Sequence, residues 1–110
     1  MKINDLLTKY TFHDSLIENI IYDAEKKNLI LTIDFCLWMQ EDYIESQPET
    51  AIIKLVFSNV TDFEGVSGKV DSFSILKISY IDNVITISIL DDFNEGYHEI
   101  VFKTDNVEMQ

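Results

Sequence analysis

The chain has 110 residues, 46% of them hydrophobic and 12% aromatic, with three glycines, one proline and one cysteine. That length and apolar content suit a single domain over residues 1–110 with one core, and a lone cysteine excludes both an internal disulfide and a multi-cysteine metal site. Twenty acidic residues face eight basic ones, all lysines, giving a net charge of −12; such a surface repels nucleic acid and anionic membranes, and arginine, the usual reader of phosphate, is missing.

In chain order, "INDLLTKY" (3–10) predicts a short helix with Asn4 or Asp5 as N-cap and Leu6 and Leu7 on its packing face. Neither the opening "MKINDLLTKY" nor any later stretch has the apolar run of a signal peptide or a membrane span, so a soluble cytoplasmic protein is expected. Beyond Phe12 the hydrophobic period becomes two, and six strands are predicted: 15–22, 29–38, 50–58, 72–81, 84–90 and 97–104. Leu29, Leu31, Ile33, Phe35 and Leu37 alternate with Thr32 and Asp34, as a strand covered on one face requires.

"ISYIDNVITIS" predicts a hairpin whose two-residue loop is Asp82–Asn83, two residue types that tolerate a left-handed backbone. Its register sets Ile81 against Val84, Tyr80 against Ile85, Ser79 against Thr86, Ile78 against Ile87, Lys77 against Ser88 and Leu76 against Ile89. The first hairpin, through "DAEKKN" (23–28), has apolar residues on both faces and leaves its register open. "TDFEGVSGK" (61–69) reads as a turn or loop. "MQEDYIESQPE" (39–49), with the only proline, reads as a connection leaving one sheet for another. No internal repeat is read. These elements predict a mainly β fold, an antiparallel meander of about six strands packed as a sandwich or a partly open barrel, with one short N-terminal helix.

Three constellations invite chemistry. His13, Asp14 and Ser15 are adjacent, but an extended chain puts Asp14 on the face opposite the other two, so a nucleophilic relay is not expected and no catalytic residue is assigned. A junction role, with Asp14 and Ser15 in a local turn and His13 on a carbonyl, or a binding role are the readings for these residues. His13 and His98 with nearby carboxylates have no metal-ligand spacing, and three scattered glycines cannot form a phosphate loop, so neither metal nor cofactor is expected. Cys36, between Phe35 and Leu37, reads as a buried small hydrophobe. Lastly, acids interleave with aromatics at Trp38, Glu41, Asp42 and Tyr43, and again at Asp91, Asp92, Phe93, Glu95 and Tyr97. That pattern suits capture of a basic protein partner, above all if the two loops lie at the same end.

"FHDS" followed by "LIENIIYDAEKKNLILTIDF" resembles a loose group of small bacterial proteins that begin with an F-H-D-S-x-I segment leading into a β-hairpin. The matching positions are Phe12, His13, Asp14 and Ser15. Some members look like immunity proteins of bacterial toxin systems; the resemblance implies an all-β or α+β domain and carries over no active site, and the acidic charge fits a non-enzymatic inhibitor of a basic toxin. The alternatives are a small-molecule or metal-binding module using His13 and Asp14, and a homo-oligomer assembled through strand edges.

Overall fold

The computed structural model describes residues 1–93 and 95–110; Asn94, between the strands expected at 84–90 and 97–104, lies outside them. Among the described residues the chain forms helix α1 (Ile3–Lys9) and strands β1 (Leu16–Asp23), β2 (Asn28–Cys36), β3 (Thr50–Phe57), β4 (Thr61–Glu64), β5 (Gly68–Ile81), β6 (Val84–Asp91), β7 (Gly96–Lys103) and β8 (Val107–Met109). All eight strands join one antiparallel sheet in the order β4-β7-β6-β5-β1-β2-β3-β8, and the sheet is not closed. Among the described residues no helix is long and apolar enough to cross a membrane.

The order reads the same from either edge once β1–β4 are exchanged for β5–β8. Two meanders, β1-β2-β3 and β5-β6-β7, meet along β1 and β5, and each sends a fourth strand to the far edge of the other. Registers repeat as well. In β1, Ile17 opposes Ile33, Glu18 bulges, and Ile20 and Tyr22 oppose Leu31 and Leu29. In β5, Ile75 opposes Ile89, Leu76 bulges, and Ile78 and Tyr80 oppose Ile87 and Ile85. The repeat that the sequence seemed to lack is therefore I-x-x-I-x-Y, at Ile17, Ile20 and Tyr22 and again at Ile75, Ile78 and Tyr80.

Sending β4 and β8 across requires the two halves to approach, so the sheet curls around its core. Phe57 of β3 meets Phe102 of β7 edge-on with ring centroids 4.9 Å apart, and Phe63 of β4 stacks on Tyr22 of β1 at 4.5 Å. Leu31, Ile33, Leu55, Ile75, Ile87 and Phe102 are wholly buried between them. Helix α1 adds Ile3 and Leu6 to this core, which is how a helix too short to persist alone is held.

All six predicted strands are present, but the sheet has eight, and it is one sheet of two joined meanders rather than a six-stranded meander or a sandwich. Strands β4 and β8 offer too few residues for a period to be read. The β1–β2 register, open in the sequence, pairs Asp23 with Asn28; Asp23 Oδ1 accepts from the Glu25 and Lys26 amides at 3.1 Å each and shapes the turn. Asp82 and Asn83 have φ of 52° and 65°, as a type I′ turn demands. The predicted pairs hold from Ile81–Val84 to Lys77–Ser88, but Ile75, not Leu76, opposes Ile89 because Leu76 is bulged.

Strand β2 ends at Cys36, and Leu37–Met39 turn as a 3₁₀ helix. The 37–49 segment returns to the same sheet, with Cys36 opposite Thr50. Lys2, not Asn4 or Asp5, is the helix N-cap, with no side-chain cap bond; Asp5 instead lies in the first turn, where its charge suits the helix dipole.

Candidate functional site

His13 and Asp14 fill the centre of a turn closed by the Ser15 amide donating to the Phe12 carbonyl at 3.1 Å. Asp14 has a φ of 67°, a left-handed conformation that aspartate tolerates. The turn extends the β1–β5 seam: the Asp14 amide donates to the Ile75 carbonyl at 2.9 Å, and the Ile75 amide to the Ser15 carbonyl at 2.8 Å. Next to it the bulge presents the Leu76 carbonyl, to which His13 Nδ1 donates at 3.0 Å. A carbonyl only accepts, so Nδ1 carries the proton. Nε2 lies 3.4 Å from Asp14 Oδ1, both side chains about half exposed.

Ser15 is fully buried, and its Oγ accepts the Cys36 amide at 3.0 Å. Gln40 Nε2 donates to the Thr11 and Cys36 carbonyls at 2.8 Å each, while its Oε1 accepts the Thr11 amide at 2.9 Å. Beneath lie the rings of Tyr10, Phe12 and Phe35. The motif is thus a clasp that fastens the entry of β1 to the end of β2 and the middle of β5. His13 and Asp14 lie against each other while Ser15 turns inward to the Cys36 amide, so the three form no Ser-His-Asp relay. Cys36, buried as expected, directs its Sγ to the Asp14 carbonyl at 3.5 Å, not to His13.

The second acidic group lies at the β6–β7 end. Asp91 is only 4% exposed, unlike a partner-facing carboxylate: Oδ1 accepts the Phe93 amide at 3.1 Å, and Oδ2 lies 3.7 Å from His98 Nε2. His98 stacks on Phe73 with centroids 5.3 Å apart. In the other half Phe35 and Ile53 occupy the places of Asp91 and His98, so a polar pair replaces an apolar one here. Asp92 donates its amide to the Ser72 carbonyl at 2.9 Å and accepts the Ser74 hydroxyl. Phe93 is 76% and Tyr97 58% exposed, with Glu95 and Glu99 exposed beside them.

Trp38 is 49% exposed, and its amide donates to the Glu49 carbonyl at 3.1 Å, closing the neck of the β2–β3 loop. Glu41 and Asp42 are exposed at its tip, and the hydroxyl of the half-buried Tyr43 donates to the Gln47 carbonyl at 3.2 Å. The condition that would have joined the two groups, loops at the same end, is not met. Three antiparallel steps, through β5 and β1, separate β6 from β2, so the two strands run oppositely and their following loops leave opposite ends of the sheet. The exposed set is Asp92, Phe93, Glu95 and Tyr97 at one end and Trp38, Glu41 and Asp42 at the other.

Among the described residues no group of three His, Cys, Asp or Glu is placed to hold a metal; β1 and β7 are not neighbours, and His13 and His98 serve different seams. Sequence reasoning missed Gln40, which no local pattern marks, and the Leu76 bulge, which the recurring I-x-x-I-x-Y signals. No family model, curated protein or solved structure matches the chain, which leaves these side chains as the ground for its function.

Proposed function

We propose that the chain acts by binding, as an immunity-like inhibitor that covers a basic bacterial toxin in the cytoplasm, without catalysis of its own. The observation that carries this reading is the exposure of Phe93 and Tyr97 beside Asp92, Glu95 and Glu99 on a chain of net charge −12. Exposed aromatics supply contact energy, and surrounding carboxylates steer a cationic partner and set its register. The resemblance of the F-H-D-S segment to toxin-system immunity proteins agrees with it. Assembly through strand edges has less support, because the edge strands β4 and β8 have four and three residues, a length that blunts edge pairing.

The test is the reading frame beside the gene. Its product, expressed alone, is expected to arrest growth, and co-expression of this chain to restore it; a harmless product, or arrest that persists, contradicts the proposal. With the purified pair, Asp92→Asn with Glu95→Gln is expected to slow association about tenfold at low ionic strength and to flatten its salt dependence. Asp91 is left intact because it holds the loop. Unchanged association would remove the β6–β7 end as the docking surface.

A further inference from the structure

The outer face of the sheet differs between the two halves. Ile20, Leu29, Leu31, Ile33, Leu55 and Phe57 are buried in the core, so alternation turns Ile21, Ile30, Asp34, Ile52, Lys54 and Val56 outward. Ile21 pairs with Ile30 and Ile30 with Val56, which lays an aliphatic row across β1, β2 and β3. The row related to it by the internal two-fold is Ser79, Thr86 and Val101. Serine and threonine in that row show that the fold itself does not require isoleucine there. Ile21 is 48% exposed and Ile52, farther along the same face, 58%; aliphatic side chains gathered on one exposed face mark a contact surface.

The charges on this face indicate what covers it. Asp34 stands opposite Ile52, and Lys54 opposite Thr32, so the two are diagonal neighbours with Cβ atoms about 7–8 Å apart. Among the described residues neither side chain is in an ion pair. A copy of the chain, turned about a two-fold axis that lies in the interface midway between Asp34 and Lys54, sets each of them on its opposite in the copy and Ile52 against Ile52. Asp34 and Lys54 cancel, whereas the whole chain carries −12. Two copies can therefore meet here without the repulsion that the rest of the surface imposes, while a cationic partner finds no excess of carboxylate.

We propose that the outer face of β1, β2 and β3 binds a second copy of the chain, forming a symmetric dimer that leaves the β6–β7 end free. This dimer depends neither on the inhibitor reading nor on its docking end. Three strands of about eight residues give a footprint of roughly 400 Å² per copy, at the small end of specific interfaces. The dimer is accordingly weak and reversible, with a dissociation constant on the order of 100 µM.

Sedimentation equilibrium of the whole protein, from about 10 µM to about 1 mM, is expected to show a monomer–dimer equilibrium. Ile30→Thr, which copies Thr86 of the related row, combined with Ile52→Thr is expected to weaken it about tenfold or more. Asp34→Lys and Lys54→Glu, both outside the core, are each expected to be monomeric alone. An equimolar mixture of these two variants is expected to dimerise, because every charge then meets its opposite at both contacts. A wild type that stays monomeric at the highest concentration, a dimer as tight with both isoleucines replaced, or a mixture no more associated than its components would overturn the proposal. The charge variants keep the test decisive if the isoleucine pair fails to fold. No toxin enters this experiment, so its failure and that of the inhibitor reading are separate results.

Discussion

Phe35→Ala is expected to lower the unfolding free energy by about 4 kcal/mol, the range for deleting a buried aromatic from a core that cannot collapse around the void. Phe35 is 1% exposed, packs edge-on against Tyr10 at 6.0 Å and lies 5.2 Å from Phe12. Its loss therefore loosens the layer on which the clasp rests. A domain of this size unfolds with a free energy of roughly 5–15 kcal/mol, so the variant should melt many degrees lower and, at the weak end of that range, be partly unfolded at 37 °C. Phe93→Ala, at a ring 76% exposed, is expected to change stability by less than about 0.5 kcal/mol. Urea unfolding of both variants checks the contrast, and comparable losses would contradict the placement of the core.

Ser15→Ala is the second large effect. It removes one hydroxyl and adds no bulk, yet it leaves the Cys36 amide without its acceptor in a site with no exposure. An unpaired buried donor costs about 1–3 kcal/mol. The expected result is a lower urea midpoint with an unchanged slope, together with faster hydrogen exchange at Cys36. Loss of stability without change in that amide would mean that the hydroxyl acts elsewhere.

These two residues illustrate what was legible. Phe35 belongs to a strand whose alternation could be read directly, and the Asp82–Asn83 turn fixed five consecutive pairs of its hairpin because turn chemistry and binary pattern agreed. Leu76 broke that register because of a bulge that turns its carbonyl to His13, 63 residues away; the bulge shows only when I-x-x-I-x-Y at 75–80 is compared with its repeat at 17–22, not in the hairpin's own alternation. Strand β4 escaped notice because it is held by the stacking of Phe63 on Tyr22 rather than by a period of its own. The acidic, aromatic loops could be read from the sequence, but whether they share an end depends on strand direction across the sheet, which local sequence does not encode. Asp91 was assigned to the surface because an aspartate at a strand end usually is; here it turns inward to His98 and the Phe93 amide.

The central claim, that the F-H-D-S segment is a clasp, is tested most directly by urea unfolding of His13→Ala beside His13→Asn. An asparagine amide can place a donor near the position of Nδ1, so it can keep the bond to the Leu76 carbonyl. The clasp predicts that His13→Ala loses about 1 kcal/mol and that His13→Asn recovers most of it. Equal stability of the wild type and both variants would contradict it.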